Sequence, residues 1–241
     1  MSRCRIPGVR SIVFGLLTLV FSPCAHAGQV YDLASDWSDT TNPNGVWQYG
    51  TLSPSLAFTP FPIHVNDYAN VGPPAFTGDQ PAWTDTVNTG NNGTPQGLAK
   101  SIGISFFDFP AGSVGGHTPA SSDYLAVQWT APATGTIDLS GSVWMWRDIG
   151  RHEALSLFVN DNALISGVPI PVRSDGVNSG DPYTLAQAVA SAGGGAGSLL
   201  DIPVTAGETV ILAARRIDVE DFVGMNFTIN FTAASVQNPA R

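Results

Sequence analysis

The sequence predicts an all-β chain, a two-sheet antiparallel β-sandwich of jelly-roll type with long loops, and three observations carry that expectation. The stretch Tyr124 to Trp146 reads YLAVQWTAPATGTIDLSGSVWMW; Leu125, Val127 and Trp129 alternate with Ala126, Gln128 and Thr130, and the alternation resumes as Ile137, Leu139, Val143 and Met145. Period two on both sides of a break means two half-buried strands, and Pro132 with Gly135 makes the break a turn. Short segments of this kind recur along the chain, about ten in all, with no convincing amphipathic helix among them, the pattern of a sandwich or jelly roll. Finally, 26 Gly and 18 Pro against only 12% charged residues is the composition of a β protein with long ordered loops.

Taken in order, Gln29 to Leu33 is a short first strand of the sort a jelly roll tucks against its last one. A turn-rich loop around Asn42-Pro43-Asn44-Gly45 leads into the strand Val46 to Gly50, and Leu56 to Phe58 continues as another. From Thr59 to Gly97 the chain is rich in Pro, Gly and Asn, with weak strands only at Ile63 to Val65 and Ala82 to Thr84; loops this long are commonly functional. A strand is expected at Ser101 to Phe107 and a loop at Pro110 to Ser122, which holds His117. After the central pair, Arg147 to His152 links to the strand Glu153 to Val159, and Asn160-Asp161-Asn162 makes a tight hairpin turn into Ala163 to Ile165. Tyr183 to Ala190 reads as a strand or as the one short helix. Leu199 to Val204, Thr209 to Ala213 and Asn226 to Phe231 complete the strands, in a single jelly-roll domain over 28–241.

Residues 1–27 carry the marks of a secretory leader: Arg3, Arg5 and Arg10, then the apolar run Ile12 to Phe21, then Ala25-His26-Ala27 as the cleavage motif. The apolar run is too short for a bilayer span, which needs about 20 residues. Cys4 and Cys24 both lie in this leader, so the exported chain carries no cysteine, which suits a bacterial extracellular or periplasmic protein. Loss of three of the ten basic residues leaves seven against 19 acidic ones, a formal charge of −12. That balance disfavours nucleic acid and anionic membranes as partners, because neutralising phosphates takes clustered Lys and Arg.

NPNGVWQYG (Asn42 to Gly50), YLAVQWTAPATGTIDLSGSV (Tyr124 to Val143), LSLFVNDNAL (Leu155 to Leu164), VTAGETVILAA (Val204 to Ala214) and IDVEDFVGMNFTINF (Ile217 to Phe231) resemble secreted bacterial jelly-roll domains. These are lectin-like, similar to carbohydrate-binding modules, and of the kind found in PEP-CTERM-associated surface proteins. The resemblance implies a sugar-binding type of fold. Because Gln237 to Arg241 provides no sorting helix, it also implies a freely exported product.

Candidate site residues follow from residue chemistry. The loop aromatics Trp37, Tyr68 and Trp83 are candidates to stack on sugar rings, whereas Trp129 and part of the Trp144, Met145, Trp146 triplet read as core. Arg147 and His152, close to Arg151 and Glu153, offer either a seat for a carboxylated sugar or a hairpin-tip ion pair. Asp32, near the first strand, and Asp218, Glu220 and Asp221, before the last, converge if those strands are neighbours. Their hard oxygens would then suit one structural Ca²⁺, the alternative being a solvated acidic loop. His64, His117 and His152 match no metal-binding spacing. No carboxylate pair is marked for glycoside hydrolysis, and no nucleophile elbow or nucleotide-binding loop occurs. The leading expectation is a secreted, non-catalytic module that binds a glycan or cell-surface polysaccharide. The alternatives are a structural or matrix protein of the envelope or biofilm, working through protein partners or self-association, and a polysaccharide-degrading enzyme.

Overall fold

Alternating apolar residues decide the layers. In the computed structural model, which describes residues 28–66, 68, 80–86, 95–103 and 107–235, Leu125, Val127 and Trp129 point into a core that Ile137, Leu139, Val143 and Met145 enter from the opposite sheet. The expected leader and Gln237 to Arg241 lie outside the described residues.

In chain order the strands are β1 (Gln29–Asp32), β2 (Trp47–Leu52), β3 (Phe58–Pro60), β4 (Ile63–Val65), β5 (Ala82–Thr84), β6 (Gly97–Lys100), β7 (Val114–His117) and β8 (Tyr124–Thr130). There follow β9 (Gly135–Met145), β10 (Glu153–Val159), β11 (Asn162–Pro169), β12 (Tyr183–Thr184), the helix α1 (Leu185–Ser191), β13 (Ile202–Val204), β14 (Thr209–Arg216) and β15 (Phe222–Ala233). They form two antiparallel sheets. One runs β12-β9-β15-β7-β6-β5-β4, with β1 also on β15 and β13 also on β9; the other runs β11-β10-β14-β8-β2-β3. The four strands β7, β15, β9 and β12/β13 face β8, β14, β10 and β11, and from β7 to β15 the chain crosses between sheets at every connection except the β10–β11 hairpin and the stretch from β12 to β13. That is jelly-roll topology, extended at one side by β2–β3 and β4–β6. β12 and β13 are two pieces of one edge strand, pairing with Ser142–Val143 and with 135–137 of β9. The insert between them contains α1, whose start is set by a capping box: the Thr184 hydroxyl accepts from the Gln187 N–H and the Gln187 side chain accepts from the Thr184 N–H.

Several expectations hold locally for the stated reason. β1 pairs with β15, and the β10–β11 hairpin turns at Asn160 and Asp161 with φ of 46° and 63°, the positive values a two-residue hairpin turn demands. Two strand assignments change. A strand lies at Gly97–Lys100, with Leu98 and Ala99 buried on opposite faces, and 101–103, the described start of the expected strand Ser101 to Phe107, lie outside it, the Ser101 hydroxyl donating to the Phe109 carbonyl at 2.8 Å; 104–106 lie outside the described residues. His117 lies on a strand and not in a loop. Val114-Gly-Gly-His shows no alternation, yet glycine is required there: a Cβ at Gly116 would sit 1.8 Å from the Gly97 carbonyl oxygen, and one at Gly115 would sit 2.5 Å from that of Val223.

Both faces of the end of β9 are buried. Val143 and Met145 enter the central core, while Trp144 and Trp146 lie on the outer face beneath Phe109, Phe222 and Tyr68. Phe109 and Phe222 stack on Trp146 with ring centroids 3.7 and 4.8 Å away, and the Trp144 indole N–H donates to the Asp108 carbonyl at 2.7 Å. Gly224 makes room for this layer, since a Cβ there would fall 2.2 Å from the Trp144 ring. Gly224→Ala is therefore expected to lower stability by about 1–3 kcal/mol through overpacking, read from urea denaturation; an unchanged midpoint would mean that the ring has somewhere to go.

Candidate functional site

The register of the two sheets brings two loops together at one end of the sandwich. Glu153 stands opposite Arg216, and Val223 opposite Met145, so the connection from β9 to β10 lies beside that from β14 to β15. The Ile217 N–H donates to the His152 carbonyl at 2.8 Å, and the Trp146 N–H to the Phe222 carbonyl at 3.1 Å. Five sequence-predicted site residues converge here: Arg147, His152, Asp218, Glu220 and Asp221.

They converge on each other. The Asp218 carboxylate takes the His152 backbone N–H at 3.0 Å and its Nδ1 at 2.8 Å, which holds that carboxyl far below the usual carboxylate range. Arg216 lies 3.6 Å from Glu220, and Arg151 donates to the Glu220 carbonyl at 2.6 Å. Arg147 binds Asp221 through both Nε, at 2.8 Å, and Nη2. The guanidinium carbon lies 5.4 Å from the Phe107 ring centroid and 5.0 Å from that of Phe222, so aromatic faces flank the charge.

This geometry separates the members of the expected calcium set. β1 and β15 are neighbours, but Asp32 pairs with Thr228, seven residues along β15 from Asp221 and therefore about 23 Å away. Asp32 instead accepts from the Ser35 N–H and the Thr228 hydroxyl at 2.8 and 2.9 Å. Among the described residues no group of three or more His, Cys, Asp or Glu side chains is placed to hold a metal ion.

Behind the paired loops lies a buried polar group that the sequence reading did not assemble. Glu153 and Asp221 are fully buried, as is Thr118, and His117 nearly so. Glu153 Oε1 accepts from the Thr118 hydroxyl and from the Asp221 N–H, both at 2.8 Å, whereas Oε2 has no hydrogen-bond partner among the described residues. Burial pushes the Glu153 carboxyl up to about 8, against the two hydrogen bonds and with help from the neighbouring Asp221 and Asp218 charges. Since Oε1 serves as acceptor, the proton belongs on Oε2. Burial likewise draws the His117 imidazole down to about 4, and its Nδ1 is unpartnered. The available signal was the strand EALSLFV: an acidic residue opening an otherwise apolar run in a strand buried on both faces has to be neutral or partnered.

Beside this end, on the outer face of the six-stranded sheet, an open cleft of about 590 Å³ is lined by Ser121, Ser122, Gly167, Arg215, Ile217 and Asp218, among others. Two features shape it. Strand alternation sends Val210, Leu212 and Ala214 inward and Arg215 outward. A bulge in β11 places one extra residue opposite Leu155–Leu157, and Gly167, at φ 63°, leaves the floor free of a side chain.

The loop aromatics are placed differently from expectation. Tyr68 is fully buried, with its hydroxyl within 3.1 Å of the Pro95 carbonyl and accepting the His117 N–H at 3.3 Å. Trp83 is buried too, donating to the Ser38 carbonyl at 2.8 Å. Rings of this size gain more from being covered than from waiting in solvent, so neither offers a face to a sugar. Trp37 is half-buried; it stacks on Tyr49 at 4.1 Å and donates to Asp39 at 2.7 Å.

No protein-family model matches the sequence, and no curated protein matches it. Among solved structures, the chain is similar to the catalytic unit of a thermostable GH87 alpha-1,3-glucanase from Streptomyces thermodiastaticus strain HF3-3, with 19% identity over 53% of this chain and 22% of that one and a TM-score of 0.27. A likeness that low carries no argument about function. No helix among the described residues is long and apolar enough to cross a membrane.

Proposed function

We propose that this protein is an exported, non-catalytic jelly-roll module that binds a glycan in the cleft beside the paired loops. The observation that carries the reading is the cleft itself: an open concavity whose lining combines hydroxyls, the guanidinium groups of Arg215 and Arg216 and the exposed apolar side chain of Ile217, the mixture that polyol recognition uses. Catalysis finds less support. Glycoside hydrolysis needs two carboxyl groups able to reach the scissile bond. Glu153 and Asp221 are sealed from solvent, and the cleft carboxylate Asp218 is held by His152. Export rests on the leader-like residues 1–27.

The test is retention of the protein on a panel of insoluble polysaccharides beside Ser122→Trp, which fills the cleft from an exposed position. Retention on at least one glycan, lost in the variant and without release of reducing ends, is the expected result. Undiminished retention by the variant would move the site elsewhere, and release of reducing ends would make the protein an enzyme. A second reading, a surface or matrix protein working through protein contacts, draws on Ile149, Ile217 and Val219, which are 52%, 54% and 42% exposed at the same end. Self-association in sedimentation, with no retention on any polysaccharide, would favour it.

A further inference from the structure

Arg215 stands apart from the charged residues around it. Arg147, Arg151 and Arg216 each have an acceptor at the paired loops, and Lys100 donates to the Ala34 carbonyl at 2.6 Å. Arg215, half-buried in the cleft lining, makes no hydrogen bond or ion pair among the described residues; its one recorded partner is the Tyr124 ring, 5.1 Å below the guanidinium carbon. A cation stacked on an aromatic face keeps its plane fixed and its N–H edge open. That edge reaches the floor of the cleft, since a Cβ built on Gly167 would lie 3.8 Å from Nη2. Five donors in a rigid fork, partly withdrawn from water and unsatisfied, match one chemical group best, a carboxylate approached in bidentate fashion.

We infer that the cleft recognises a sugar carrying a single carboxylate, a uronate residue in an otherwise neutral glycan, with Arg215 as the carboxylate-binding residue; this rests on the glycan reading above. Ser122, with no hydrogen-bond partner among the described residues, supplies a hydroxyl for the ring oxygens, and Ile217 an apolar wall. The charge distribution selects one carboxylate over many. Of the two arginines in the lining, Arg216 faces Glu220 at 3.6 Å; Asp218 is in the lining too and the whole chain has a formal charge of −9, so a polyanion is repelled while one acidic group meets Arg215.

The experiment is calorimetric titration of the full chain with a set of uronate-terminated disaccharides and their carboxyl-reduced, neutral counterparts. A polyuronate and a short peptide with a free C-terminal carboxylate serve as further arms. Wild-type protein is expected to bind at least one uronate disaccharide about tenfold or more tightly than its neutral counterpart. Arg215→Gln should weaken the uronate disaccharide about tenfold more than its neutral counterpart, so that the two affinities converge, and Arg215→Lys should restore only part of the preference because it lacks the fork. Thermal melts of both variants show that they fold, and Ser122→Trp, which leaves Arg215 in place, should abolish binding of both sugars. Equal binding of acidic and neutral forms would overturn the carboxylate inference and leave the glycan reading standing. So would a uronate preference that survives Arg215→Gln, tighter binding of the polyuronate or the peptide, or retention on polysaccharide with no disaccharide bound. Absence of binding to every disaccharide and every polysaccharide would remove both.

Discussion

The wild-type protein is expected to lose stability as pH rises from about 6.5 to 8, and replacing Glu153 by Gln should abolish that loss. The Glu153 carboxyl is raised by burial from 4.5 to about 8, so between those values the folded state keeps a proton that the unfolded state has released. Stability from this group is fully present below 4.5 and is lost as pH climbs through the folded value, on the order of 4–5 kcal/mol across the whole span. His117 acts with the opposite sign. Its imidazole falls from 6.5 to about 4, so the unfolded state holds the extra proton between those values and stability rises with pH there, by roughly 3 kcal/mol. From about 4.5 to 6.5 the two slopes oppose each other and the profile is flat. Above 6.5 only the Glu153 decline remains, worth roughly 2 kcal/mol by pH 8. In Glu153→Gln the His117 rise should stand alone, followed by a plateau. The variant's overall level should be lower by about 1–3 kcal/mol, because the amide that replaces Oε2 brings donors into a place with no acceptor. Denaturant midpoints taken from pH 4 to 8.5 measure both curves. The same decline above pH 6.5 in both proteins would show that Glu153 is not its source.

Arg147→Met is expected to cost about 3–5 kcal/mol, because it leaves the Asp221 carboxylate buried without its cation. Among the described residues Asp221 Oδ2 already lacks a partner, and after the substitution Oδ1 would retain only the Phe222 N–H at 2.8 Å. The methionine side chain still fills the space between Phe107 and Phe222, so the loss reports charge and not packing. Adding Asp221→Asn should recover most of it, since the two groups form one unit. A double-mutant cycle read by urea denaturation therefore gives a coupling energy of about 2 kcal/mol or more, and additive single effects would contradict the pairing.

How much of this was legible in the residues follows from the range of the interaction behind each feature. The Asn160-Asp161 turn, the Thr184 to Gln187 cap and the alternation of β8, β9 and β14 depend on neighbours a few positions away, and they stand where local chemistry puts them. The strand β7 escaped notice because its glycines answer to backbone atoms of β6 and β15, far off in sequence. The loop aromatics were misplaced for a related reason: a loop position allows exposure, but Tyr68 and Trp83 found partners in His117 and Ser38 that no spacing rule anticipates.

The sequence by itself determined the all-β class, the strand faces and the grouping of Arg147 with His152 and of Asp218 with Asp221, because these depend on periodicity and on neighbours in the chain. Only the tertiary structure decided what those groups do. The pairing of β10 with β14 and of β9 with β15 set the two loops side by side, matching Arg147 to Asp221 and His152 to Asp218, and that of β1 with β15 placed Asp32 beside Thr228, midway along β15. The same register buried Glu153 and left Arg215 unpaired over Tyr124, since charge pairing is settled by which strands meet and at what offset.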